Sequence, residues 1–202
     1  MIQVALFGAS ADPPTVGHQA IVEWLATRFD WVAVWAADNP FKAQQTPLHQ
    51  RQAMLAMSMA GIADRAKNVR LCPHLSDVRT LNSVRKAKLD WPDAQFTLVV
   101  GSDVLDSLPH WYRVADLLKA VNLLIVPRPG VPIQPQHFDA LNALGARFQV
   151  STFVGPDVSS TEYRQTGDPQ GVMPAIAQYI KDQNLYAGLG VRQAQPINQR
   201  LP

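Results

Sequence analysis

Four short segments carry the residues best suited to chemistry. The first is Gly8-Ala9-Ser10-Ala11-Asp12-Pro13-Pro14-Thr15-Val16-Gly17-His18, a small, polar, turn-rich loop that leads into a helical pattern. Open N–H groups at a helix start favour an anion. Gly17 lets a ligand approach the backbone, and His18, in the first turn and facing the sheet, can donate to a phosphate oxygen. The second is Asn39-Pro40-Phe41-Lys42, where Lys42 is either a phosphate ligand or a surface lysine. The third is Gly101-Ser102-Asp103, followed by Leu108-Pro109-His110-Trp111-Tyr112. Asp103 can accept from ribose hydroxyls, and Trp111-Tyr112 offers a flat surface for a ring. The fourth is Val158-Ser159-Ser160-Thr161-Glu162-Tyr163-Arg164, in which Ser159 and Glu162 have capping-box spacing. Hydroxyls, open N–H groups and a guanidinium together suit a triphosphate. Taken singly, each segment also has a plain structural explanation: an unliganded turn, a solvated lysine, a half-buried tryptophan, an ordinary helix cap. The first loop is neither Gly-x-Gly-x-x-Gly nor a Walker loop, which disfavours a P-loop NTPase and a classical dinucleotide dehydrogenase.

Such groups need a frame to position them. Ile2–Phe7, Trp31–Ala36, Val69–Cys72, Phe96–Val100, Val121–Val126 and Phe148–Val154 read as strands, mostly continuous apolar runs of the kind buried on both faces. Helical spacing runs through Gly17–Arg28, with His18, Ile21, Val22, Leu25 and Phe29 on one face. Thr46-Pro47 reads as an N-cap followed by proline at the first helical position, opening a helix that turns Leu48, Leu55 and Met59 inward. Further helices are expected over Arg79–Leu89, after Trp111, and from Pro174. The alternation predicts an α/β, doubly wound, Rossmann-like parallel sheet with helices on both faces. In such sheets ligands sit at the carboxyl ends of strands where strand order reverses. The organisation expected is one domain over 1–187 and a mobile tail over 188–202.

Composition bounds the function. The 202 residues are 47% hydrophobic and 17% charged, enough for a full core and too little charge for a disordered chain. Lys+Arg 18 against Asp+Glu 16 leaves a surplus of +2, which argues against a broad nucleic-acid surface but not against a local anion pocket. Cys72 is the single cysteine, so neither a disulfide framework nor a multi-cysteine zinc site is available. No apolar run has the ~20 residues of a membrane span, and the N-terminal run lacks a basic region before it. A soluble cytoplasmic protein is expected, with neither nucleic acid nor membrane as a partner.

The order and content of the four segments resemble the bacterial nicotinate-mononucleotide adenylyltransferases of the nucleotidylyltransferase superfamily. The matching pieces are Gly8…Asp12-Pro13…Thr15-Val16-Gly17-His18, Pro40-Phe41-Lys42 with His49-Gln50-Arg51…Met54-Leu55, Thr80-Leu81, Gly101-Ser102-Asp103…Trp111, Arg128-Pro129-Gly130, Val158-Ser159-Ser160-Thr161…Arg164, and Tyr179-Ile180…Leu185-Tyr186. Three positions depart from the pattern. Thr15 stands where many members have histidine, Phe41 replaces the histidine usual before the lysine, and Leu75-Ser76-Asp77-Val78-Arg79-Thr80-Leu81 replaces Tyr-Thr-x-Asp-Thr-Leu.

The resemblance implies adenylyl transfer from ATP to nicotinate mononucleotide in NAD biosynthesis, giving nicotinate adenine dinucleotide, with pyrophosphate leaving and magnesium carried by the phosphates rather than by a protein metal site. It implies His18, Thr15, Lys42 and Arg164 as the catalytic set. Gly8, Ala9, Gly17, His18, Gly101, Asp103, Ser159, Ser160, Thr161 and Arg164 would bind ATP. Asp12, Lys42, Asp77, Arg79, Thr80, Trp111 and Tyr112 would bind the mononucleotide. Nicotinamide mononucleotide as acceptor and a catalytically silent nucleotide-binding protein are the alternatives. The oligomeric state is left open.

Overall fold

The computed structural model describes residues 1–38 and 45–187; the Lys42 segment and the tail 188–202 lie outside the described residues. Along the chain run β1 (Gln3–Ala9), α1 (Val16–Ala26), β2 (Trp31–Ala36), α2 (Leu48–Ala63), β3 (Val69–Leu71), α3 (Thr80–Asp90), β4 (Gln95–Gly101), α4 (Val114–Ala120), β5 (Asn122–Val126), α5 (Pro135–Ala143), β6 (Phe148–Val150), α6 (Ser160–Thr166) and α7 (Pro174–Asp182). The strands form one parallel sheet in the order β3-β2-β1-β4-β5-β6. Strand order therefore reverses between β1 and β4, the switch point at which a doubly wound sheet takes ligands.

Register shows how the crevice opens. β1 pairs with β2 as far as Ala9↔Ala36. Its pairing with β4 ends at Leu6↔Leu98, although β4 continues to Gly101. The last residues of both strands therefore part, and the loops that follow them flank the gap.

Alternate residues of the central strands feed two cores. Val4, Leu6, Trp35, Leu98 and Leu123 pack with Leu81, Val84 and Leu117 of α3 and α4. Ala5, Phe7, Val34, Val99 and Leu124 pack with Val22, Leu25, Leu55 and Met59 of α1 and α2. Burial on both faces is why these strands lack alternation in sequence. A third cluster of Met54, Tyr163, Val172, Ile176, Ile180 and Tyr186 fixes α6 and α7 against α2.

Several boundaries differ from the sequence reading. The last strand stops at Val150 rather than Val154, and as an edge strand it pairs with β5 over three residues only. The N-cap of α2 is Pro47, not Thr46. The Thr46 N–H is instead directed at Asp12, 3.4 Å away. Helix α5 has no counterpart in the sequence reading. Pro135 begins it, with the Gln134 N–H donating to His137 Nδ1 (3.1 Å).

Candidate active site

The site forms where β1 and β4 part. Thr15 caps α1, and His18 in the first turn folds its ring back towards it. The Thr15 N–H donates to His18 Nδ1 at 3.0 Å, and Thr15 Oγ1 lies 2.8 Å from the same nitrogen. A ring nitrogen that accepts from the backbone carries no proton, so the neutral imidazole holds its proton on Nε2. Burial first, then the positive charge of Arg128, lower the His18 pKa to about 4, with Asp103 opposing. His18 is thus a neutral N–H donor at neutral pH. Thr15, expected against the phosphates, is buried behind His18 with its hydroxyl turned to the ring. In this position it supports the histidine.

The end of β4 lies within the electrostatic reach of His18. Arg128, after β5, donates from Nη1 to Asp103 Oδ2 at 2.6 Å. Buried Ser102 fixes the arginine's backbone: its Oγ accepts from the Arg128 N–H at 3.0 Å and donates to Val131 O at 3.1 Å. A Cβ on Gly101 would sit 2.3 Å from Asp103 Oδ1 and 3.1 Å from Arg128 Cδ. Glycine at the strand end is what lets this ion pair lie across it.

Helix α6 meets the first loop from 147 or more residues away. Ser160 Oγ donates to Pro13 O at 2.8 Å. Arg164 donates from Nη1 to the Asp12 carbonyl and from Nη2 to Thr161 Oγ1, the latter at 3.3 Å. Ser159 caps the helix by accepting from the Glu162 N–H at 3.0 Å. The α1 start is equally close, since a Cβ on Gly17 would lie 3.2 Å from Val158 Cγ2. The hydroxyls of Ser159 and Ser160 thus hold structure. Thr161 is exposed and Arg164 half-buried. Gly8 and Ala9 end β1, and the Ala9 carbonyl accepts from the Ala37 N–H at 2.7 Å.

Asp12 is the clearest departure from expectation. It is 5% exposed, and Oδ1 accepts from the Tyr186 hydroxyl at 2.8 Å while Oδ2 faces the Thr46 N–H. Both of its carboxylate oxygens are engaged inside the protein. Beside it lies Arg51, 1% exposed, which donates to Thr46 O (2.8 Å), Ser10 O (2.8 Å) and Ala37 O (2.7 Å), with Asp38 at 3.8 Å. Burial lowers the Arg51 pKa, opposed by Asp12 and Asp38.

Of the residues expected to bind the mononucleotide, Asp77, Arg79 and Thr80 lie at the start of α3, with Tyr112 against Arg79. The Arg79 guanidinium lies over the Tyr112 ring, 3.9 Å from its centroid, and Thr80 is the first residue of the helix. Asp77 accepts from the Arg79 N–H and Asn82 Nδ2, both at 3.1 Å, and pairs with Lys86 Nζ at 3.1 Å. Burial alone would raise its pKa, but these donors lower it on balance. Trp111 is half-buried against the core, with Nε1 directed at Ser107 Oγ, 3.4 Å away.

Arg51, Ser102, Arg128 and Tyr186 received no role from sequence. Arg128 had a readable signal, a cation at a strand end beside a turn. The others are defined by partners far away in the chain. Among the described residues no group of three or more His, Cys, Asp or Glu is placed to hold a metal ion, and no helix is long and apolar enough to cross a membrane.

Comparison with known proteins agrees with this geometry. Residues 6–166 match the cytidylyltransferase-like family. The chain is 40% identical over 198 residues to a probable nicotinate-nucleotide adenylyltransferase of Synechocystis sp., covering 92% of this chain and 99% of that one. It is 34% identical over 202 residues to a protein of the same description from Gemmatimonas aurantiaca, covering 92% of each. A solved nicotinic acid mononucleotide adenylyltransferase of Plasmodium falciparum, complexed with NaAD, shares the fold at TM-score 0.76 and 18% identity, covering 92% of this chain and 98% of that one. With the switch-point crevice, the neutral His18 donor and Arg164 set around one loop, the chain belongs to the cytidylyltransferase-like family, as a nucleotidyltransferase of the nicotinate-nucleotide adenylyltransferase group.

Proposed function

We propose that the chain transfers the adenylyl group of ATP to nicotinate mononucleotide, as a cytoplasmic enzyme of NAD biosynthesis. The 5′-phosphate of the mononucleotide attacks the α-phosphorus in line, and pyrophosphate leaves. In such a transfer the protein aligns the reactants and neutralises charge. His18 donates its Nε2–H to the phosphates at the reacting centre. Thr161, the open N–H groups of α6 and Arg164 take the β- and γ-phosphates, and Lys42 the mononucleotide phosphate or the bridging oxygens. Asp103 turns from Arg128 to accept from the ribose. A magnesium ion held by the phosphates supplies further charge neutralisation when ATP is bound. Residues 1–187 act as the catalytic unit and 188–202 as its tail.

The observation that carries this reading is the joining of His18 and Arg164 to one loop from opposite ends of the chain. Arg164→Lys tests the second arm. Lysine cannot reproduce a planar fork that holds both a carbonyl and a phosphate. Steady-state kinetics should show a loss of about tenfold or more in kcat/KM for ATP, and a smaller loss for the mononucleotide. Equal, small effects on both would leave Arg164 a solvated arginine.

The acid is the preferred acceptor because of how Arg79 and Asp77 are held. Stacking on Tyr112 uses the face of the guanidinium and leaves its in-plane N–H groups for a carboxylate. Asp77, which would favour an amide, is engaged by Lys86, Asn82 and the Arg79 N–H. A charged contact is worth roughly 1.5–3 kcal/mol, so Arg79→Ala should narrow the acid-over-amide ratio of kcat/KM about tenfold or more. A wild-type enzyme faster with nicotinamide mononucleotide would reverse the acceptor assignment.

A further inference from the structure

We infer that Tyr186 and Asp12 are positioning residues for nucleotide binding, a buried clasp by which the end of the chain sets the phosphate-binding groups. This rests on the reading of Arg164 as an ATP ligand, and assigns a role to two residues that themselves touch no substrate. The Tyr186 hydroxyl donates to Asp12 Oδ1 at 2.8 Å, with Tyr186 7% and Asp12 5% exposed. Three connections radiate from Asp12. Its carbonyl accepts from Arg164, its second carboxylate oxygen faces the Thr46 N–H, and its neighbour Pro13 accepts from Ser160. Thr46 lies four residues beyond Lys42 in the chain. The Asp12 carboxylate thus meets Tyr186 and the segment that follows the lysine, while its main chain and that of Pro13 meet helix α6.

The backbone shows that this contact is held against local preference. Tyr186 has φ 62 and Ala11, next to Asp12, has φ 50. Both lie in the left-handed region, which non-glycine residues keep only where surrounding contacts over-determine it. At Tyr186 those contacts are the Asp12 bond and the edge-on ring contact with Tyr163, centroids 6.3 Å apart. Burial and the Asp12 carboxylate push the Tyr186 hydroxyl up in pKa, against an opposing hydrogen bond to Thr46. It is a permanent donor at any physiological pH. If the bond served only to attach α7, the third apolar cluster would do that work alone. A hydroxyl aimed at the loop that carries His18 adds register to attachment.

Tyr186→Phe is the test, since it keeps the ring and removes the hydroxyl. The readout is ATP affinity by titration calorimetry, with no acceptor present, beside the thermal midpoint. Expected is an ATP Kd raised about tenfold, the loss of one hydrogen bond to a charged group. Because the path runs through Asp12 to Arg164, Tyr186→Phe in an Arg164→Lys background should weaken ATP by much less than tenfold. A merely structural tyrosine would lower the midpoint, leave ATP affinity intact in the folded variant, and act independently of Arg164. Either of the last two results overturns the inference. Should Tyr186→Phe not fold, Asp12→Asn replaces one acceptor oxygen by an amide nitrogen facing a donor. The same weakening is expected, and unchanged affinity overturns the inference equally. A wild-type chain that binds ATP, loses affinity on Tyr186→Phe, yet fails to adenylylate nicotinate mononucleotide would refute the acceptor assignment and support the clasp.

Discussion

His18→Ala should leave a folded protein whose turnover is lower by about 10²–10³, or about 3–4 kcal/mol of transition-state stabilisation. The ring is fixed from behind by the Thr15 N–H and hydroxyl, both directed at Nδ1. Its proton therefore sits on Nε2, which in the proposed transfer meets charge growing on the phosphates. No reorganisation is needed at the moment of reaction, which is why removing such a donor is so costly. The loss should appear in kcat far more than in either KM. The fold should be affected by roughly 1 kcal/mol, the value of a helix cap. Near-normal turnover would remove His18 from the mechanism.

The same geometry fixes a pH dependence. With its pKa lowered to about 4 by burial and Arg128, His18 stays neutral well below pH 6.5. The pH–rate profile should show no fall near 6.5 and should decline on this account only as pH approaches 4. Stability follows the same sign. The folded histidine has the lower pKa, so its contribution is complete above the unfolded value of about 6.5 and is lost as pH falls through about 4. In His18→Ala the acid limb of the stability curve should be shallower across that window.

Arg51→Met should destabilise the protein by about 3 kcal/mol or more. Three backbone carbonyls, from the ends of β1 and β2 and from the turn before α2, converge on one guanidinium that solvent does not reach. Methionine fills similar volume but strips all three of this donor and leaves Asp12 and Asp38 without their nearby cation. Lysine restores charge without the fork, so Arg51→Lys should recover only part of the loss. At 202 residues, 3 kcal/mol corresponds to a midpoint lower by about 10 °C. Thermal and urea unfolding followed by circular dichroism measure it. A change within about 0.5 kcal/mol would mean that water replaces the guanidinium, contrary to the burial seen here.

The frame was legible because it is written in local runs. Six apolar stretches gave six strands, and the length of chain between them gave parallel crossovers. The Gly8–His18 loop and the Ser159–Arg164 cap were legible for the same reason, as each is complete within one turn of helix and its approach. The buried contacts of Asp12 were not legible, because its partners are 34 and 174 residues away. Arg51 was legible only as part of the resemblance, and its structural role appears in the convergence of three carbonyls 5, 14 and 41 residues away. Helix α5 escaped because a proline cluster reads as loop, although proline is well suited to a first helical turn.

The loop after β1 leaves the ribosome well before the residues that hold it. Its bonds to Ser160, Arg164 and Tyr186 span 147, 152 and 174 residues. At 5–20 residues per second the loop waits roughly 10–35 s for the last of these partners. A nascent or prematurely terminated chain can assemble β1, β2, β4 and their helices around an apolar core while its nucleotide loop stays untied. On the proposed function such a product would lack the bonds that set its nucleotide loop, and ATP capture would wait until synthesis has passed Tyr186.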